Sequence, residues 1–307
     1  MRRATLSRVM LEPAPTRPPQ APQLSHGQAI ADRGFARARE PAASFALPHT
    51  APFARKLAGR ISRFVARHAC TRPLALNNDA PIVSFTFDDV PTSACSLGAA
   101  VLEQHDARGT FYVAGGGCGA TSPAGRLAGR DEIVALAVHG HEIGCHTYSH
   151  SAVSSIGQAE LTADLERNRS FLQGTDGAIT VRNFAYPYGD FSLSSKRHLQ
   201  ARFDSCRSLR RGVNEGVVDL GALKTCLLEN ASIDRQDILD FIARTVAHRG
   251  WLIFASHDVG SPPSRFGVTP DLLAFAVKAA RDAGCRLTTI AGALATSGPT
   301  RSASRAT

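Results

Sequence analysis

Three places in the chain contain carboxylate or imidazole side chains that could bind a metal or move a proton. Asp88 and Asp89 are adjacent, His146 and His150 are four residues apart, and His257 stands alone. Adjacent residues of an extended chain point in different directions, so one aspartate can bind a metal while its neighbour serves as a general base. His146 and His150 can face one centre if the chain turns helically between them. One carboxylate and two imidazoles make a three-ligand divalent site with open positions, which is typical of catalytic metal sites.

These groups together suit a hydrolase. Zinc is the favoured ion, with cobalt and nickel as alternatives. Such an ion polarises an acyl carbonyl and lowers the pKa of a water, while the free aspartate removes the proton and His257 protonates the leaving group. Each group alone also has a structural interpretation, because paired aspartates cap helices and histidines often lie satisfied in a core. Their occurrence in order along the chain favours a site.

The elements that precede these residues must bring them together. After Ala80, short β-branched or aromatic runs alternate with helical periods, which predicts β/α units around a mostly parallel sheet. The predicted strands are 82–87, 110–114, 142–146, 180–185, 203–208, 251–256 and 286–290. The predicted fold class is α/β: a distorted (β/α) barrel of seven to eight strands. Functional residues of such barrels gather at the C-terminal ends of the strands, where the groups above and Tyr188 fall.

Composition divides the chain into four segments. Residues 1–50 are rich in proline and aperiodic, which predicts a disordered extension. Residues 51–79 contain a basic amphipathic helix and a linker, residues 80–297 form the barrel, and residues 298–307 form a polar tail.

The helix predicted within residues 53–67 carries a single apolar stripe. This stripe contains Phe53, Leu57, Ile61, Phe64 and Val65, and five Lys or Arg residues occupy other positions of the segment. Two interpretations stay open. The helix docks onto the barrel, or it makes peripheral contact with an anionic membrane surface.

Charge and cysteine content bear on partners and location. The formal net charge of the 307 residues is +9, and residues 1–72 alone hold thirteen Lys and Arg against three Asp and Glu. The rest of the chain is therefore close to neutral, which argues against a nucleic-acid partner. The seven cysteines are odd in number and form no C-x-x-C pair. With no secretory apolar run near the N-terminus, they predict a cytoplasmic protein, with peripheral membrane attachment as a variant.

The same residues resemble the motifs of the polysaccharide deacetylase family, also called the NodB-homology domain or carbohydrate esterase family four. The resemblance covers about residues 80–295. The family's first motif, T-F-D-D, ends here in Asp88 and Asp89, and its second, H-[ST]-x-x-H, runs from His146 to His150. The resemblance implies that Asp88 is the catalytic base and that Asp89, His146 and His150 bind the metal. His257 of the fifth motif is implied to be the catalytic acid.

Three motifs depart from the family pattern. The third, R-x-P-Y, begins here with Ala185 instead of arginine, while its Tyr188 is kept, whose backbone is implied to help hold the oxyanion. The leucine of the fifth motif is replaced by Ala255. The acidic fourth motif, which ends in tryptophan, is not found, since Trp251 opens the strand that carries His257.

The missing arginine at position 185 removes the cation that orients the catalytic carboxylate in the family. The strand in which the fourth motif would lie is instead basic, with Arg207, Arg210 and Arg211. We expect Arg207 to reach the site from this strand and pair with Asp88. The alternative is that all three arginines are solvated at a strand end.

The sequence thus predicts a metal-dependent hydrolase that removes an acetyl or similar acyl group from a sugar or glycan intermediate. The alternative is a catalytically impaired metal-binding or glycan-binding module of the same fold.

Overall fold

The computed structural model describes residues 52–297, with side chains from Gly59 onward. The expectations for residues 1–50 and 298–307 lie outside the described residues. Residues 52–297 contain eight α-helices: α1 (Pro52–His68), α2 (Ala99–Glu103), α3 (Arg130–Val138), α4 (Gln158–Gln173), α5 (Leu193–Gln200), α6 (Arg235–Ala247), α7 (Pro270–Asp282) and α8 (Ile290–Ser297). A π-helical turn, Ala94–Gly98, precedes α2, and short 3₁₀ turns lie at Gly115–Gly117 and Pro187–Gly189.

The described residues also form twelve strands. They are β1 (Pro73–Ala75), β2 (Ile82–Asp88), β3 (Thr110–Val113), β4 (Thr121–Ser122), β5 (Gly125–Arg126), β6 (Glu142–Cys145), β7 (Asn183–Ala185), β8 (Ser205–Arg211), β9 (Val217–Asp219), β10 (Leu223–Leu227), β11 (Trp251–Ser256) and β12 (Arg286–Leu287).

Seven parallel strands close into a barrel. The order is β2, β3, β6, β7, β8, β10 and β11, and pairing of β11 with β2 completes the ring. An eighth strand, β12, also pairs in parallel with β2, where the barrel closes. All residues of β2 and β11 are buried, because helices cover the outside and side chains fill the inside of a parallel barrel. The predicted barrel of seven to eight strands is confirmed.

Two strands of the eight-stranded sheet differ most from the sequence prediction. β10 was not predicted, because Lys224 and Thr225 break its short apolar run and it is joined to β9 by only three residues. The strand predicted for residues 286–290 is wrong in length, since it ends at Leu287. Ile290 instead begins α8, whose first backbone N–H groups donate to Thr110 Oγ1 and to Glu142. These two side chains accept from the first N–H groups of α8 and so stabilise its start. Both lie far from α8 in the sequence, so this helix start could not be predicted from local pattern.

Helix α1 packs on the barrel through α5. Ser62 Oγ accepts a hydrogen bond from the backbone N–H of Leu193, at 3.2 Å. Lys196 Nζ donates to the carbonyls of Ala66 and Ala69, at 2.8 and 2.7 Å, so it caps the C-terminal end of the helix. The linker that follows contains β1, which pairs with β9 and was not predicted. No helix in the described part of the chain is both long and apolar enough to cross a bilayer.

Candidate active site

A cleft of about 760 Å³ opens at the C-terminal ends of the barrel strands. Its walls are largely apolar, with Ala114, Leu127, Leu209, Leu227 and Phe266 among the residues that line it. The polar residues in it include all the predicted metal ligands and both predicted proton-transfer groups, which are Asp88, Asp89, His146, His150 and His257. The structure therefore brings these five side chains into one cleft, as parallel barrels do with residues that follow their strands.

Asp89, His146 and His150 converge on one centre. One ligand atom from each lies within 4.8 Å of the others. Asp89 Oδ1 is 3.2 Å from His150 Nε2 and 3.8 Å from His146 Nε2. Convergence of the two histidine side chains was expected from the sequence to require a helical turn between them. That expectation was wrong, because the chain between them is not helical. Thr147 and His150 instead adopt left-handed backbone angles, with φ of 62° and 52°, which turn the second ring back toward the first.

Hydrogen bonds orient both imidazoles. His146 Nδ1 lies 2.8 Å from the carbonyl of Ala185, so this nitrogen carries the proton and Nε2 is left with a free lone pair. Burial lowers the pKa of His146 to about 4, although Asp88 and Asp89 act in the opposite direction. The neutral ring is the form that binds a metal. His150 Nδ1 is 3.1 Å from the hydroxyl of Tyr188.

Asp164 of α4 braces the loop between the two histidines. Its Oδ2 accepts from the backbone N–H of Tyr148 at 2.7 Å, and its Oδ1 accepts from the hydroxyl of Ser149 at 2.6 Å. These bonds hold a segment that contains left-handed residues, which otherwise costs energy. Asp164 was not predicted from the sequence, because a polar residue on an amphipathic helix gives no signal of what it contacts.

Asp88 is buried and paired with Arg207. Arg207 Nη2 donates to both carboxylate oxygens, at 2.6 Å from Oδ2, and the guanidinium is fully buried. Burial acts to raise the pKa of Asp88, but the charge of Arg207, with smaller effects of His146 and His257, holds this pKa below its ordinary value. Asp88 is therefore ionised and held in one orientation although it is buried.

The strand register explains why Arg207 reaches Asp88. Arg207 of β8 pairs directly with Ala185 of β7. Residues opposite each other on neighbouring strands point to the same face of the sheet, so Arg207 enters the barrel interior beside the methyl group of Ala185. The guanidinium carbon lies 5.1 Å above the Tyr112 ring. That ring lies so close to Gly144 that a Cβ there would overlap it.

The three arginines of this strand have different environments. Arg207 is buried, Arg210 is half-buried, and Arg211 is exposed and pairs with Asp237. Arg207 is thus not solvated at a strand end, whereas Arg211 is. Inside the barrel, the Nε and Nη1 atoms of Arg207 and the hydroxyl of Tyr112 have no hydrogen-bond partner among the described residues. The guanidinium consequently directs its hydrogen bonds to Asp88.

His257 follows β11 at the opposite side of the cleft from the histidine pair. Its ring packs beside that of Phe266, with 5.3 Å between centroids, and its backbone N–H donates to the Phe266 carbonyl at 3.2 Å. Its Nδ1 is buried and has no partner in the described part of the chain. The neighbouring Asp258 does not orient it, since that carboxylate accepts from the backbone N–H and hydroxyl of Ser264.

Two further residues face the cleft. Tyr188 has a left-handed backbone (φ 58°, ψ 6°) and its side chain is 66% exposed at the rim. Glu229 is only 7% exposed, and its Oε2 accepts from Ser232 Oγ at 2.9 Å. It lies two residues beyond Leu227, which pairs with Ala255, so it reaches the level of His257 on the neighbouring strand. Glu229 was not predicted from the sequence, because the strand that places it at the cleft, β10, was not predicted either.

Known proteins resemble this chain in sequence and in fold. The polysaccharide deacetylase family model matches residues 75–202. Chitin deacetylase 1 of Cryptococcus neoformans var. grubii is 28% identical over 124 residues, which are 39% of this chain and 24% of that protein. The chitin deacetylase of Colletotrichum lindemuthianum is 29% identical over 108 residues, or 35% of this chain and 40% of that protein. The chain thus spans less than half the length of these relatives.

Solved structures give the same fold. A peptidoglycan N-acetylglucosamine deacetylase superposes with a TM-score of 0.53 at 17% identity, covering 73% of this chain and 92% of that one. The C. lindemuthianum chitin deacetylase superposes with a TM-score of 0.53 at 18% identity, covering 72% and 89%. With the T-F-D-D and H-[ST]-x-x-H motifs at the rim of a matching barrel, residues 75–202 of this chain are similar to the polysaccharide deacetylase family.

Proposed function

We propose that the protein is a metal-dependent hydrolase that removes an acetyl group from a sugar or glycan. The observation that carries the proposal is the buried Asp88–Arg207 pair, next to the converging Asp89, His146 and His150 in one cleft. The relatives support the substrate class, since they are named as deacetylases of chitin and of peptidoglycan N-acetylglucosamine.

The donor set of Asp89, His146 and His150 fits one divalent ion. Two imidazoles and one carboxylate favour zinc, with cobalt or nickel as alternatives, and the open side toward the cleft leaves room for water and substrate. When bound, such an ion supplies Lewis acidity toward the acyl carbonyl and toward a water.

Asp88 and His257 move the protons. Asp88 takes the proton of the attacking water, and Arg207 keeps the carboxylate charged and directed toward the cleft until then. His257 donates a proton to the departing amine or alcohol of the sugar from the other side of the cleft. The backbone of Tyr188 contributes to the oxyanion contact, as the family motif implies.

A binding module without catalysis is the alternative. It predicts metal or glycan binding with no turnover. The ion pair at Asp88 favours the enzyme, because burying a charged pair costs desolvation energy that a glycan-binding surface does not require.

Acetate release tests the proposal. The full chain is stripped of metal and reloaded with zinc, cobalt or nickel, then incubated with N-acetylated oligosaccharides, an O-acetylated xylan and a small acetyl ester. We expect metal-dependent acetate release from at least one glycan, and its loss in Asp88→Asn. Full metal loading and glycan binding without acetate release from any of them would establish the binding module instead.

We also propose a reducing, cytoplasmic location. All seven cysteines are free thiols, and burial raises the pKa of Cys145 to about 11 and that of Cys206 to about 12, so both stay protonated. Cell fractionation with thiol labelling measures this directly, and a disulfide found in the native protein would contradict it.

A further inference from the structure

Helix α1 exposes an apolar stripe on the side that faces away from the barrel. Ile61, Phe64 and Val65 are 55%, 64% and 37% exposed. They stand at the i, i+3 and i+4 positions of one helical face. Single exposed apolar residues are ordinary, but three in one stripe of an anchored helix form a surface.

The opposite side of α1 is fixed. Ser62 and Ala66 face α5, where Lys196 binds the carbonyls of Ala66 and Ala69 and pairs with Asp219. Lys196 is fully buried. The apolar stripe is therefore presented by a helix that is held in one orientation.

Cations flank the stripe. Arg60 and Arg67 are exposed, and the ion pairs among the described residues include neither of them. The sequence of α1 contains five Lys or Arg and no Asp or Glu. Unpaired cations beside an apolar stripe are complementary to anionic lipid headgroups above an acyl layer.

We propose that α1 is a membrane-binding helix, whose face of Ile61, Phe64, Val65, Arg60 and Arg67 docks at the interface of a bilayer containing anionic lipids. The helix lies in the plane of the interface while the barrel stays in water. This binding does not depend on the deacetylase activity, because the stripe is separate from the residues that line the cleft.

Flotation with vesicles tests this surface. The full chain is mixed with vesicles of phosphatidylcholine alone or with about one third phosphatidylglycerol, at low and at high salt. We expect binding to the anionic vesicles only, weakened by salt because screening reduces the attraction of exposed arginines. Replacing Ile61 and Phe64 by Gln, or Arg60 and Arg67 by Gln, should each weaken this binding about tenfold or more.

A matched control uses apolar residues that are as exposed but lie elsewhere. Val138 of α3 and Val217 of β9 are 73% and 68% exposed. Val138→Gln with Val217→Gln should leave vesicle binding unchanged. Hydrolysis of a small acetyl ester and the thermal midpoint should be unchanged in all three double variants, so a folding defect is recognised directly.

Three results would overturn the proposal. The first is equal vesicle binding by the wild type and the Ile61→Gln, Phe64→Gln variant. The second is a dimer of the wild type that this variant dissociates, which would make a second copy the occupant. The third is vesicle binding that appears only after residues 1–51 are removed, which would show that this segment, and not a membrane, covers the apolar face in the full chain.

Discussion

A carboxylate lies at each end of the barrel: Asp88 is buried at one end, and Glu142 is half-buried at the other. At the C-terminal end of the strands, Asp88 is paired with the charge of Arg207, and its pKa is held below its ordinary value. At the N-terminal end, burial raises the pKa of Glu142, although hydrogen bonds from Ala291, Asn183 and Thr110 oppose this effect.

The opposite pKa shifts of the two carboxylates distinguish Asp88, which we propose takes part in the reaction, from Glu142, which has a structural role. Glu142 is surrounded by neutral donors that belong to β3, β7 and α8, so it ties these elements together and closes the barrel floor. Asp88 depends on one cation, and it faces a cleft where other groups, such as His257 Nδ1, are left without partners among the described residues. Unsatisfied polar groups in a buried site are typical of a binding site, so we expect a substrate to bind at this end of the barrel.

The largest effect is expected from removing one of the proposed metal ligands at the cleft end of the barrel. His150→Ala should reduce the metal content from one ion per chain to well below that and abolish metal-dependent hydrolysis, because a two-ligand site holds a divalent ion poorly. Metal analysis by mass spectrometry gives the stoichiometry. Full occupancy in this variant would show that the ion binds elsewhere.

Asp88→Asn should keep the metal and the fold but reduce kcat by about 10²–10⁴-fold, since the amide has nearly the same shape and cannot accept a proton. Metal content, thermal midpoint and kcat are measured together. Asp89→Asn is the matched control and should lose metal instead. If the two variants behaved in the opposite way, the roles of the two carboxylates would be exchanged.

Arg207→Met should reduce kcat by about 10-fold or more, the effect of losing a charge-assisted hydrogen bond of roughly 1.5–3 kcal/mol. It also has a pH signature. Without the cation, burial raises the pKa of Asp88, so the acid limb of the kcat profile moves to higher pH and the deficit shrinks as the pH rises. A pH–rate profile of both proteins measures this shift.

A variant at position 185 also tests whether Arg207 supplies the cation that pairs with Asp88. Ala185 is fully buried and lies in register with Arg207, so Ala185→Arg would compete with Arg207 for the same space and should not raise activity. Wild-type rates for Arg207→Met, or a large gain for Ala185→Arg, would show that the site works without this cation.

Glu142→Ala should lower stability and leave catalysis intact. It leaves buried donors of Thr110, Asn183 and Ala291 unpaired, which costs about 1–3 kcal/mol. In a domain of this size each kcal/mol lowers the thermal midpoint by about 2–4 °C. Calorimetry measures the shift, and kcat at a temperature below the transition should stay near that of the wild type. An unchanged thermal midpoint would contradict the structural role that distinguishes Glu142 from Asp88.

The smallest effect is expected at Glu229, another buried carboxylate, which faces the cleft. Glu229→Gln should raise KM for an oligosaccharide by about 3- to 10-fold, the equivalent of one hydrogen bond to a sugar hydroxyl. Hydrolysis of a small acetyl ester should not change, because that substrate has no sugar hydroxyl to bond with Glu229. A loss of kcat on both substrates would indicate that this residue acts in the reaction itself.

The sequence by itself determined the features that depend on local order. Alternating apolar runs and helical periods predicted the parallel barrel, and the short segments around Asp88, His146 and His257 predicted a polar rim. These features could be predicted because a strand end and the residues that follow it are adjacent in the chain. The helical spacing of residues 53–67 likewise predicted α1, because amphipathic periodicity is local.

The tertiary structure alone decided the features that depend on register and closure. The sequence could raise the pairing of Arg207 with Asp88 only as a hypothesis, since it requires β8 to lie beside β7 with Arg207 opposite Ala185. The short strand β10, which positions Glu229, is held by pairing on both sides and not by its own apolar pattern. A one-residue slip in either register would turn each of these side chains to the other face, and chain order does not encode that choice locally.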